Sequence, residues 1–433
     1  MNTQLFAVDE YNNLIKPIMI ATKIISVWPL DKDSTRTAVI LQNLHTVAMF
    51  LMVISLSTAT TLEVINTIDD LNEATECALL CTAFYLCGFR LTIYSLYRKD
   101  MSYIVETMKT DWILGSYEDI LILRDKCLFT FRLSKYFIFT VASTICLFIC
   151  APLIEGYIYD TTMRVLPFRG YFFVNHTISP FFEIIYTFNV VSGCFSATTI
   201  AAATSFNLVV IMHGSAKFAI IQNKLKNIKG NKQSAYTELS ACIKSHQDAI
   251  TFADTLERVI NILALGQFVI STGLVCFAGF QITEMIQDRG RFIKYSAFLN
   301  SAILELFLFS FSGNKLIDES EAVGFAAYES EWYNNNCGLI LQTIIMRCRV
   351  PCKITAAKFY SMSLESFATV SPKRMYHIKF LQIVKFLTDI FMNLYLYFQR
   401  FSVHHFHISQ YSMPRTKNER AKILVIKVKA TSN

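Results

Sequence analysis

Apolar residues in this chain fall in long, nearly unbroken runs rather than at the spacing of a one-sided soluble helix or strand. Seven runs are long enough, at about 20 residues each, to cross a bilayer core as helices. They lie at roughly 38–59, 74–97, 136–158, 181–213, 259–282, 294–313 and from 338 onward. The fourth exceeds what a bilayer needs and predicts a helix projecting beyond it. Ahead of them, the run LIKPIMIATKIISVW is interrupted by Lys16 and Lys23 and lacks the small-residue cleavage site of a signal peptide. It predicts an amphipathic helix ending at Trp28-Pro29, because proline disfavours helix in the residue before it. No internal repeat or low-complexity tract divides the chain. The pattern predicts an all-α, polytopic membrane protein with seven transmembrane helices.

Composition sharpens that reading. The 433 residues are 53% hydrophobic and 17% charged, with a mean hydropathy of +0.39. A soluble domain averages about a quarter charged residues, so much of this apolar surface must face lipid. The net charge of +7 does not point to nucleic acid, because the cations sit in the connections between apolar runs. The N-terminal segment and the connections 98–135 and 214–258 hold 18 Lys and Arg; the alternate connections hold only Arg164, Arg169, Arg289 and Arg291. That bias places the N-terminus in the cytoplasm. The connection after the sixth run is acidic, with Lys315 against Glu319, Glu321, Glu329 and Glu331, but acidic residues count little in this rule. Asn175-His176-Thr177 is an N-glycosylation sequon, and it falls in a connection assigned to the outside. The orientation is the reverse of a G-protein-coupled receptor, no Asp-Arg-Tyr follows the third run, and the outer loops hold no cysteine to bridge. A tag at Met1 should be reached by antibody only after permeabilisation; staining of intact cells would contradict this orientation.

Candidate chemistry is sparse. Of twelve cysteines, Cys77, Cys81, Cys87, Cys146, Cys150, Cys194 and Cys276 fall inside apolar runs, where cysteine behaves as a small hydrophobe. Cys348 and Cys352 lack the second pair that a zinc site needs. The group HHFH (404–407) lies in an atypical tail and is discounted as a metal site. No nucleotide loop, catalytic triad or metalloprotease motif occurs, so neither an enzyme nor a cofactor is expected. Two charges inside apolar runs stand out: Arg90 and Glu305, at comparable depth on the inner side of the midplane. Buried intramembrane charges pair, which predicts a contact between them. The alternative is that Arg90 snorkels toward Tyr97, about 10 Å further along its helix.

Three stretches carry a family resemblance. ISVWPL (25–30), DESEAVGFAAYESEWY (318–333) and ITAAKFYSMSLESFATV (354–370) are similar to segments of the insect odorant receptors, seven-helix ligand-gated cation channels with a cytoplasmic N-terminus. In architecture the resemblance covers residues 1–370. It implies a ligand-tuned subunit that assembles with a shared co-receptor into a tetramer around a pore, in the plasma membrane of an olfactory neuron. Its partners would be a small volatile odorant, the co-receptor and membrane lipid, without nucleic acid. The odorant pocket would lie in the outer half of the bundle, where aromatic walls suit an apolar ligand; Phe84, Tyr85, Phe148, Tyr186, Phe188 and Phe298 are the candidates, against the alternative that they are ordinary packing. Residues 338–358 would form a cytoplasmic part that packs subunits together. From about Leu364 a short helix would start the pore, with Ser363, Glu365, Ser366 and Thr369 on a wet face. A gustatory receptor of the same superfamily is the alternative within the class, and a polytopic transporter is disfavoured by the missing repeat halves.

At Val370 the resemblance stops. The family continues with more pore helix, whereas here the chain becomes SPKRMYHIKF and runs basic from 371 to 433. The dipeptide Val370-Ser371 can be encoded by GTAAGT, a consensus intron start, so the tail is expected to be translated intron. The alternative is that the apolar stretch 380–398, with Lys385 and Asp389 able to pair at i, i+4, replaces the missing half-helix. Pro372 would break its continuity with what precedes it.

Overall fold

The computed structural model describes residues 2–30, 34–158, 164–174, 178–228, 232–284, 288–330 and 338–370. Ten helices and one small hairpin follow in chain order: α1 (Asn2–Ile24), α2 (Arg36–Asn66), α3 (Leu71–Leu96), α4 (Arg98–Leu114), α5 (Tyr117–Ile158), α6 (Phe181–Lys226), α7 (Lys232–Glu284), α8 (Arg289–Glu329), α9 (Gly338–Cys348), β1 (Thr355–Ala356), β2 (Tyr360–Ser361) and α10 (Leu364–Val370). Among the described residues, α2, α3, α5, α6, α7 and α8 are long and apolar enough to cross a membrane, and they contain the first six predicted runs. The seventh run breaks up. It becomes the short α9, the antiparallel hairpin and α10, which stands where the seventh crossing is expected to begin.

The helices outrun the bilayer. At 1.5 Å per residue, the 42 residues of α5 and the 53 of α7 reach about 63 and 80 Å, against a core of about 30 Å. The cation-rich connections of the charge count are therefore largely helical. α4 shows why: Met101, Ile104, Met108 and Trp112 are buried at spacings that put them on one helical face. The extensions are tied by polar contacts. Lys126 of α5 meets Glu319 of α8 at 2.6 Å, and Gln222 of α6 donates to the same carboxylate at 2.8 Å. Asp111 of α4 meets His213 at 2.8 Å and Lys217 at 2.7 Å, both on α6. Burial opposes ionisation of Asp111, but its hydrogen bond to His213 and the charges of His213 and Lys217 outweigh it and hold the carboxyl below its ordinary range.

α6 runs through the centre, and every residue from Ala201 to Ala216 is buried. A helix apolar all round its surface belongs in a core, and the small residues Ala201, Ala202 and Ala203 let neighbouring helices approach closely. α2 sits at the periphery, with Leu41, Leu44 and Leu51 exposed in a stripe that lipid must cover.

One boundary and one residue differ from expectation. α1 ends at Ile24 rather than at Trp28, because Ser26 takes a left-handed conformation with φ 59° and its hydroxyl pairs with Thr46 of α2 at 2.7 Å. Ser363 does not stand on a wet face of α10. It is buried and caps the helix, accepting from the Ser366 amide at 3.1 Å. Leu364 and Phe367 turn inward, Phe367 against Phe307 of α8, while Glu365 is exposed and Ser366 half-buried. The side chain of Thr369 lies outside the described residues. The strap ahead of α10 is held closely: Thr355 donates its amide to Glu257 of α7 at 2.8 Å. A Cβ at Gly313 of α8 would stand 2.2 Å from the Met362 carbonyl oxygen, so glycine is needed for that approach. Burial pushes the Cys348 and Cys352 thiols up to about 11.

Candidate functional site

α3, α5, α6 and α8 line an apolar cavity of about 90 Å³, reached also by Leu274 of α7 and by the loop before α6. α6 presents Gly193, Ser196, Ala197 and Ile200 to it, the i, i+3, i+4, i+7 positions of one face. Phe84, Phe148 and Phe298, from α3, α5 and α8, form aromatic walls. The other three aromatic candidates lie outside the lining. Tyr85 is one residue round α3 from Phe84, is half exposed, and shares a 3.1 Å hydrogen bond with Thr61 of α2. Tyr186 packs against Phe182 with ring centroids 5.5 Å apart, and Phe188 is half-buried away from the cavity.

Sequence reasoning missed Phe168. This loop residue stacks on Phe148 at 5.9 Å and meets Phe84 edge-on at 5.7 Å. Its backbone is clamped by one side chain: the Phe168 amide donates to Asn189 Oδ1, and Asn189 Nδ2 donates to the Phe168 carbonyl, both at 3.0 Å. Gly193 makes room for the ring, since a Cβ there would stand 2.2 Å from Phe168 Cε2. The available signals were a lone buried amide and a glycine one turn apart in an apolar run. Beside the ring, Arg169 meets Glu73 at 3.0 Å. Lys294 meets Glu76 at 3.1 Å and lies 5.1 Å from the Phe148 ring centre.

One end of the cavity is polar. Arg90 and Glu305, each 3% exposed, meet at 2.6 Å, so Arg90 turns into the bundle instead of reaching along α3. The pair is embedded in a network. Arg90 donates to Thr204 at 3.1 Å and to the Ile200 carbonyl at 3.3 Å, and also to Gln267. Glu305 accepts from Thr204 at 2.6 Å and from Gln267 at 2.9 Å. Four helices, α3, α6, α7 and α8, are joined at this point, and Glu305 itself lines the cavity.

An apolar cavity of about 150 Å³ admits benzene. This one is smaller, so a volatile molecule must displace part of its wall, and Phe168 is the wall residue not carried on a helix. A second void of about 590 Å³ lies between α7 and α9, lined by His246, Gln247, Thr343 and Arg347 together with five Ile and Leu side chains. The predicted glycosylation residue Asn175 lies outside the described residues.

Comparison with known proteins supplies the remaining observations. Residues 70–371 match the family described as 7tm Odorant receptor. The chain is 24% identical over 415 residues to Odorant receptor 13a of Drosophila melanogaster, covering 87% of this chain and 97% of that one. It is 26% identical over 219 residues to Odorant receptor 10 of Aedes albopictus, covering 48% and 58%. Among solved structures it resembles the olfactory receptor OR5 of Machilis hrabei, with a TM-score of 0.71 at 13% identity over 88% of this chain and 99% of that one. It also resembles that receptor in complex with eugenol, with a TM-score of 0.69 at 14% identity.

Proposed function

This chain belongs to the 7tm odorant receptor family, and on that premise we propose that it binds a small volatile molecule in the α3–α5–α6–α8 cavity, with Phe84, Phe148 and Phe298 as walls. The observation that carries this is the aromatic-walled cavity whose polar end joins four helices. A ligand that reshapes that end shifts the relative positions of the helices, and binding energy favours whichever arrangement fits it better. The eugenol complex of a receptor with this fold accords with the reading.

The chain acts as the ligand-tuned subunit of a hetero-oligomer with a co-receptor, in the plasma membrane of an olfactory neuron, where ligand opens a cation pore. No catalytic step is involved. The family match favours an odorant receptor over the gustatory alternative. Cells expressing the product of the spliced transcript with a co-receptor should give a volatile-evoked current. Concentrative uptake of a tracer volatile without current would point to a transporter.

Pore formation needs more than α10. Its seven residues span about 10 Å, a third of a core about 30 Å thick. The family match stops at Ser371, one residue past Val370, which supports reading 371–433 as translated intron. The chain as written should bind ligand but fail as a channel subunit. Sequencing mature transcript across the Val370 codon should find a splice there. A transcript that reads straight into Ser371-Pro372-Lys373, and whose product conducts, contradicts the intron reading and makes 380–398 the better candidate for completing the pore.

A further inference from the structure

We infer that the cavity selects ligands that donate a hydrogen bond, namely small apolar alcohols or phenols, over acceptor-only molecules of the same size. The inference rests on the odorant-binding reading of the cavity and names its ligand class. Five polar side chains line the cavity: Cys87, Thr144, Ser196, Ser301 and Glu305. Each proton they carry has an acceptor within the protein. Ser196 donates to the Ser192 carbonyl at 2.9 Å, and the Cys87 thiol to the Ser196 carbonyl at 3.4 Å. Thr144 and Ser301 touch at 2.9 Å. One of the two donates across that contact, and the other proton goes to the carbonyl of Thr140 at 2.9 Å or of Ala297 at 3.0 Å. Glu305 acts throughout as an acceptor, from Arg90 at 2.6 Å and from Thr204 and Gln267.

What faces the cavity is therefore lone pairs. A hydroxyl oxygen that donates once still accepts, and a carboxylate has about four acceptor sites, of which three are occupied here. Among the described residues the lining offers no free donor. The Phe168 amide is taken by Asn189, and the α3, α5, α6 and α8 amides are taken within their helices. An alcohol brings the missing proton and bonds without breaking any of these hydrogen bonds. An aldehyde or ether must bury its oxygen unpaired, or turn a wall hydroxyl away from its carbonyl. Sites that present unpaired polar groups to a ligand discriminate strongly against the analogue that cannot satisfy them.

The test uses two matched sets on the purified full chain in detergent: 1-hexanol, hexanal and methyl pentyl ether, then benzyl alcohol, benzaldehyde and anisole. Dissociation constants are read from thermal stabilisation, corrected for partition into detergent. The hydroxyl member of at least one set should bind about tenfold tighter than its partners, which is about 1.4 kcal/mol. Ser196→Ala or Ser301→Ala should narrow that gap. Equal or tighter binding of the aldehyde or ether in both sets overturns the inference and leaves the cavity as a ligand site intact. No saturable binding by any of the six overturns the inference together with the reading beneath it.

Discussion

Glu305→Ala with Arg90 left in place should remove most of the receptor from the cell surface. Deleting one partner of a buried ion pair costs about 3–5 kcal/mol, because the other charge stays buried without compensation. That is a large share of a typical folding stability of about 5–15 kcal/mol. Here the loss also strips acceptors from Thr204 and Gln267, which donate to the same carboxylate. Arg90→Ala should fail for the mirror reason. The double change Arg90→Met with Glu305→Leu removes both charges and fills the space, and replacing a buried pair by apolar residues is often neutral or better. Surface biotinylation should therefore show each single variant below the double. If the losses simply add, the pair does not hold the bundle.

In the product of the spliced transcript, Gly193→Ala should abolish the response to volatiles while the protein still reaches the surface. The new methyl would stand 2.2 Å from Phe168 Cε2, so the ring must leave its place against Phe84 and Phe148. Overpacking of this kind costs about 1–3 kcal/mol, enough to reshape the cavity without unfolding the bundle. Pairing it with Phe168→Leu, which clears the clash, should restore a response, with a changed preference for ligand size. A Gly193→Ala receptor that answers the same volatiles at unchanged concentrations would show that the seat of Phe168 does not matter.

How much of this could be read from the sequence depended on contrast. Arg90 and Glu305 were legible because a charge in an apolar run has few places to go. The six complete spans were legible for the same reason: length and apolarity settle them without any packing. The aromatic walls were legible only in part. In a helix apolar all round, the 3.6-residue period leaves no mark of which face looks inward, so Phe84 and its neighbour Tyr85 read alike. Their difference arises from packing against α2, where Thr61 takes the Tyr85 hydroxyl. Phe168 was hidden because its place depends on Asn189 and Gly193, which only the folded α6 brings to it. Ser363 was placed on a wet face because hydroxyl residues suit one, yet the same hydroxyl also serves as a helix cap, and the turn after the hairpin decided between them. The cation-rich connections gave the right orientation but hid their own helicity, since a charge count is blind to the buried stripe Met101, Ile104, Met108 and Trp112.

Everything proposed for this chain depends on a volatile ligand occupying the α3–α5–α6–α8 cavity. Photoaffinity labelling tests it most directly: a small aliphatic alcohol bearing a diazirine is crosslinked to the full chain in native membranes, and the sites are mapped by mass spectrometry. Label is expected on the peptides that carry Phe84, Phe148, Phe168 and Ser196, competed away by excess unlabelled alcohol. Competable label concentrated instead between α7 and α9, around His246 and Arg347, with the cavity peptides unlabelled, would contradict it.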